Sequence, residues 1–156
     1  RDLNGVDKKK GLGLHLPYLM NDVQAVMGRC QLKKLDGFIS RRREFASQFN
    51  MALKSMFIEL PSDMPFRKHI YFRYCLKLNQ PIDPVLDFLQ QNSIRAERPI
   101  FSPLHLLDHQ KPINKRICFA GTEKAWMNTI SLPIYPDLGK NEIEREICFL
   151  KKGLSI

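Results

Sequence analysis

Apolar residues return at intervals of three and four throughout the stretch from Asn21 to Met56, and this constrains the fold more than any other feature of the 156-residue chain. Val23, Val26, Met27 and Cys30 make one stripe; Phe38, Ile39, Phe45, Phe49, Ala52, Leu53 and Met56 make a second. Such a period belongs to a helix with one apolar face. Asn21 or Asp22 can cap the first stripe and Asp36 the second, because their side-chain oxygens accept from the unpaired amides of a first turn. The spacing predicts two helices that form a bent or continuous arm, ended by Pro61 and Pro65.

Beyond the prolines the pattern changes. His69 to Leu78 is rich in aromatic and β-branched residues, which predicts a strand central to a small sheet. Asp83-Pro84 reads as cap and first-turn proline of a helix whose buried face is Val85, Leu86, Phe88 and Leu89. Ile94 to Glu97 can return as a short strand. From Arg98 to Phe119 three prolines predict irregular chain, and long ordered loops tend to carry function. Thr122-Glu123 can start a short helix through Trp126, Thr129 to Leu132 is a strand ended by Pro133, and Asn141 can cap a last helix striped by Ile143, Ile147, Leu150 and Leu154. The order predicts an α+β unit with a small, largely antiparallel sheet covered by helices. Residues 1–19, with three glycines and a lysine run, read as an arm or loop.

Twenty-five basic against sixteen acidic residues give 25 − 16 = +9, a balance that suits an anionic partner. The Arg41-Arg42-Arg43 run fans over most of a helical turn, so a solvated face with salt bridges is expected before a nucleic-acid groove. No glycine-rich phosphate loop, RNA-binding strand motif or helix-turn-helix pattern accompanies it. Cys30, Cys75, Cys118 and Cys148 lie far apart without a CxxC pair, and their apolar flanks predict reduced core filler in a cytoplasmic protein. Four scattered histidines give no metal constellation, with His69 expected as a turn residue. No apolar run approaches the ~20 residues that span a bilayer. Arg1 in place of Met suggests a start made by truncation or cleavage.

Three phrases carry a resemblance: NDVQAVMGRCQLKKL (21–35), ERPIFSPLHLL (97–107) and ISLPIYP (130–136). Together they are similar to the C-terminal part of the DegT/DnrJ/EryC1/StrS sugar aminotransferases, in the family's order from about residue 12 onward, and RPIFSPLH most resembles the loop of perosamine synthase-like members. The resemblance implies pyridoxal phosphate as cofactor and a nucleotide-linked keto sugar as substrate for surface polysaccharide. It also implies a large aspartate-aminotransferase-type (fold type I) domain carrying the cofactor lysine, with this chain as the smaller C-terminal domain. On that basis residues 1–20 are an arm or linker remnant, 21–58 a helical dimer arm, and 59–156 the α+β unit. The expected partners are a second copy of the chain or the large domain.

The same resemblance implies site residues. Aligning on Met20, Asp22, Gln24 and Ala25 sets Pro17 and Leu19 where the family has an asparagine and a basic residue that hold the cofactor phosphate. Proline lacks an amide donor and leucine lacks charge, so the contact would pass through the backbone of Tyr18 and Leu19 or the Tyr18 hydroxyl. Arg98, Phe101 and His105 fall in the loop that approaches substrate in the family. Arg98 can instead serve a salt bridge, His105 loop backbone, and Phe101 the loop core. Without a lysine in the family's context the chain alone is expected to be inactive. The alternatives are a non-catalytic split-gene remnant that dimerises or binds, and a basic nucleic-acid-binding module.

Overall fold

A computed structural model describes residues 19–107 and 118–155. The first helix, α1, runs unbroken from Asp22 to Leu53 over 32 residues. Asn21 starts it: its Oδ1 accepts the Gln24 amide at 2.8 Å and its own amide donates to Gln24 Oε1 at 3.1 Å, a reciprocal pair that satisfies two otherwise orphan donors. Asp36 lies inside this helix and caps nothing. Contacts divide the chain into Arg1–Lys34 and Leu35–Ile156. In the first unit, Val23, Val26, Met27 and Leu32 are all more than half exposed; in the second, Phe45, Ala46, Phe49 and Leu53 are buried.

The second unit continues with β1 (Tyr74–Lys77), α2 (Asp83–Gln91), a 3-10 turn (Leu104–Leu106), α3 (Ala120–Asn128), β2 (Thr129–Leu132) and α4 (Lys140–Gly153). The two strands pair antiparallel, Tyr74 opposite Leu132 and Lys77 opposite Thr129. Single bridges flank them, Glu59 to Lys77 on one side and Glu97 to Ser131 on the other. The expected α+β class holds, with a two-stranded antiparallel sheet among the described residues. At the centre lies Tyr74, stacked on Phe49 at 4.8 Å and donating its hydroxyl to Asn50 Oδ1 at 2.6 Å. Burial drives its phenol pKa well above the usual range, with Tyr71 adding to the shift.

The strand expected over His69–Leu78 shrinks to four residues for a local reason. Tyr71 has φ 49°, a left-handed conformation that interrupts an extended run. Its amide donates to His69 Nδ1 at 2.8 Å and the two rings lie 4.3 Å apart, so His69 works as a turn residue. The expected strand at Ile94–Glu97 reduces to the one bridge at Glu97. α2 has Pro84 in its first turn, but Asp83 does not cap it. α3 begins at Ala120, ahead of Thr122, and α4 begins at Lys140, where Glu142 Oε2 accepts the Gly139 amide at 2.7 Å in the role assigned to Asn141.

Two expectations about side chains fail. Cys30, Cys118 and Cys148 are exposed and only Cys75 is half-buried, so the thiols are not core filler. For Cys30 and Cys148 the apolar flanks misled because residues adjacent in a helix point to different faces. The arginine run is not a solvated salt-bridged face either. Arg41 donates to the carbonyls of Pro136 (2.8 Å) and Leu138 (3.2 Å), Arg42 to those of Tyr71 (3.2 Å) and Phe72 (2.7 Å), and Arg43 to that of His69 (2.9 Å). Fanning over one turn lets three neighbours reach two separate loops and supply donors their carbonyls lack.

Candidate functional site

The proline-rich loop after the Glu97 bridge is held by two of its own side chains, Arg98 and His105. Arg98 Nη2 reaches both carboxylate oxygens of Asp83, at 2.9 and 3.0 Å, and its guanidinium lies 4.3 Å from the centre of the Trp126 ring. Asp83 thus anchors the loop to α2, which explains its absence as a cap. Only 18% of the Arg98 side chain is exposed, so the ion pair and the cation–π contact are partly shielded from solvent. Further along, His105 Nε2 lies 3.0 Å from Glu123 Oε1 and its ring packs 4.9 Å from Phe119, tying the 3-10 turn to α3. Phe101, between these two residues in sequence, is 94% exposed, so it is not loop core.

Beside the loop a mainly apolar cleft of about 390 Å³ is lined by Pro99, Ile100, Thr122, Ala125, Trp126 and Thr129. The Trp126 Nε1 and Arg98 Nε atoms are buried without a hydrogen-bond partner among the described residues. The structure therefore brings Arg98 and His105 to one loop facing α3, each already engaged by an acid, and leaves Phe101 free to meet a second surface. Leu19 is 75% exposed, while Tyr18 lies outside the described residues.

A second concavity, of about 250 Å³, gathers charged residues of which the sequence singled out Arg42 alone. Arg42, Arg73 and Arg95 line it with Glu97 and Tyr135. Arg73 pairs with Glu97, and Arg42 is committed to backbone carbonyls. Arg95 has no ion pair among the described residues. Cys75, on β1 nearby, has its thiol pKa pushed up by burial, against the lowering effects of Ser131 and Arg73.

Comparison with known proteins decides what this geometry belongs to. The sequence profile of the DegT/DnrJ/EryC1/StrS aminotransferase family matches residues 4–150. The chain belongs to that family. It is 26% identical over 135 residues to GDP-perosamine synthase of Vibrio cholerae, spanning 84% of this chain and 36% of that protein. It is 32% identical over 128 residues to the dTDP-4-dehydro-2,3,6-trideoxy-D-glucose 4-aminotransferase of Saccharopolyspora spinosa, spanning 79% of this chain and 32% of that protein. Among solved structures, the aminotransferase TlmJ of Streptoalloteichus hindustanus superposes with a TM-score of 0.78 at 26% identity, over 88% of this chain and 37% of that one. Helicobacter pylori PseC shares the fold, with a TM-score of 0.82 at 18% identity, over 96% of this chain and 42% of that one. The chain thus spans about a third of the length of these curated relatives.

The family implies pyridoxal phosphate in the parent enzymes. A lysine that bonds covalently to that cofactor needs an amine whose basicity is lowered by burial or by neighbouring cations. Every lysine among the described residues is exposed, and Lys77 is engaged with Glu59 at 2.8 Å. The described residues do not fit a cofactor-lysine site, and no chemical step through the cofactor follows from them.

Proposed function

We propose that this chain is the C-terminal part of a pyridoxal-phosphate-dependent aminotransferase that moves an amino group from an amino acid to a keto sugar on a nucleotide carrier. The observation that carries the reading is the family match over residues 4–150 of a chain that spans about a third of sugar-aminotransferase relatives. In this reading residues 59–156 are the small domain of a fold type I enzyme and residues 21–58 its dimer arm. Arg98, Phe101 and His105 meet the nucleotide sugar, with Asp83 and Glu123 fixing the arginine and the histidine. Tyr18 and Leu19 lie beside the cofactor of a neighbouring subunit.

The chain alone is inactive in this reading, because the cofactor lysine belongs to the large domain of the parent enzyme. The test is to assay the purified chain alone and mixed with a lysine-bearing large domain encoded in the same genome. The expected result is amino transfer to a keto nucleotide sugar only in the mixture. Borohydride fixation of the cofactor onto a lysine of the isolated chain, or no transfer from the mixture, would overturn it.

A second reading, a non-catalytic dimerisation module, draws on the exposed apolar stripe Val23, Val26, Met27 and Leu32 and on Leu19 standing where the family carries a basic residue. It expects a stable dimer by sedimentation and no gain of activity on mixing. A nucleic-acid role keeps only the net charge of +9 in its favour, since Arg41, Arg42 and Arg43 are engaged with backbone carbonyls.

A further inference from the structure

A polar cavity of about 450 Å³ lies where the end of α2, the loop after β2 and the first turns of α4 meet. Ser93, Arg95, Tyr135, Glu142, Arg145 and Glu146 line it. Its volume falls within the range that holds small ligands, and it lies apart from the 98–105 loop. Neither family resemblance nor the aminotransferase reading gives it a role.

Four of its charged groups are two arginines and two glutamates, and half of them are already used. Arg145 donates to the Asn92 carbonyl at 2.6 Å, and Glu142 accepts the Gly139 amide. The remaining two, Arg95 and Glu146, share the cavity without pairing with each other or with any other described residue. Glu146 is only 6% exposed, and its Oε2 is buried with no hydrogen-bond partner among the described residues. Leaving such an oxygen unsatisfied costs free energy that an incoming donor would recover. A ligand carrying both charges can meet the buried Glu146 and the exposed Arg95 together, which neither a cation nor an anion alone can do.

We propose that this cavity binds a small zwitterion, with its ammonium on Glu146 and its carboxylate on Arg95, as a free α-amino acid presents them. Arginine suits the carboxylate end because its planar fork donates two parallel hydrogen bonds. The Tyr135 and Ser93 hydroxyls can serve whatever projects from the zwitterion. The titration of Glu146 fits the same geometry. Burial, reinforced by the Glu142 carboxylate, pushes its pKa up to about 8, so the empty site holds a proton at neutral pH. Arg95, Glu142, Arg145 and Tyr135 are the other charged or titratable groups facing the cavity. An arriving ammonium favours the ionised carboxylate, so binding releases that proton.

The test is isothermal titration of the 156-residue chain with L-alanine, with ethylamine and propionate as its cationic and anionic halves, in two buffers of different ionisation enthalpy at pH 7. L-alanine is expected to bind saturably, each half at least about tenfold more weakly, with an enthalpy that differs between buffers as one proton is released. Glu146→Gln should cut the affinity about tenfold and abolish the buffer dependence. Arg95→Ala, at an exposed position, should weaken L-alanine and propionate while leaving ethylamine unchanged. Absence of saturable alanine binding, equal binding by either half, or an unchanged titration in both variants would overturn the proposal. None of these outcomes bears on the aminotransferase reading, which needs no ligand here.

Discussion

Arg98 and Asp83, fifteen positions apart, form a two-point ion pair in which one guanidinium nitrogen contacts both carboxylate oxygens while Trp126 covers the guanidinium face. A loop residue, the start of α2 and the body of α3 thereby become one unit, and a residue expected to touch substrate is also a structural tie. Replacement by alanine removes the pair and the cation–π contact together, so Arg98→Ala should cost about 1–3 kcal/mol, read from chemical denaturation. Arg98→Lys keeps the charge but not the planar face and should fall between. Asp83→Ala, whose carboxylate is largely exposed, should cost less than about 1 kcal/mol.

The stacked pair at the core should be the most sensitive point of the fold. Phe49→Ala opens a cavity against Tyr74 and is expected to cost about 3–5 kcal/mol. Tyr74→Phe keeps the stack and loses only the bond to Asn50, for about 1 kcal/mol. Thermal melts of the two variants should rank in that order.

Arg42 holds the carbonyls of Tyr71 and Phe72, so Arg42→Ala should loosen the turn that carries the left-handed Tyr71. Limited trypsin digestion should then cut faster after the exposed Arg67 and Lys68 than in the parent chain, while cleavage after Lys151 and Lys152 stays unchanged. Equal cleavage at the turn would show that the arginine clamp does not hold it.

Glu146 predicts a definite pH dependence of stability. Its pKa in the folded chain is raised to about 8 from an ordinary carboxyl value of 4.5, so the folded state binds the proton more tightly than the unfolded one. Its contribution is therefore fully present below the ordinary value and is lost as pH rises through the folded value. Between pH 5 and pH 8 the parent chain should lose roughly 2–4 kcal/mol relative to Glu146→Gln, by urea denaturation at each pH. A constant difference across that range would refute the shift.

Elements whose signal is local were legible in the sequence. The Asn21 cap needs only Gln24 three residues on, β2 is bounded by its own Pro133, and the stripe of Ile143 and Leu150 states which face of α4 is buried. What escaped depends on distant partners. Arg41 meets a carbonyl 95 positions away and Arg42 one 29 away, and no periodicity within the helix could name them. The short β1 escaped because a left-handed tyrosine is decided by its neighbour's imidazole rather than by β-propensity. Glu146 could have been found: it lies three residues after Ile143 and four before Leu150, where an apolar residue is expected, and an acid on a buried stripe is itself a signal. At the candidate site the sequence pointed to Arg98 and His105 but not to their acids, because Asp83 read as a helix cap and Glu123 as a helix start.

A two-stranded sheet ordinarily offers two bare edges to any extended chain that drifts past. Here each edge ends in a glutamate that uses both backbone groups on the strand and then reaches sideways to a basic partner: Glu59 exchanges hydrogen bonds with Lys77 and pairs with its ammonium, and Glu97 does the same with Ser131 and then meets Arg73. Another strand arriving at either place would have to displace both an existing bridge and a fixed negative charge. Concentrated solutions of this protein should accordingly resist growth by strand addition, and any assembly it forms should run through side-chain surfaces, the exposed face of α1 foremost among them.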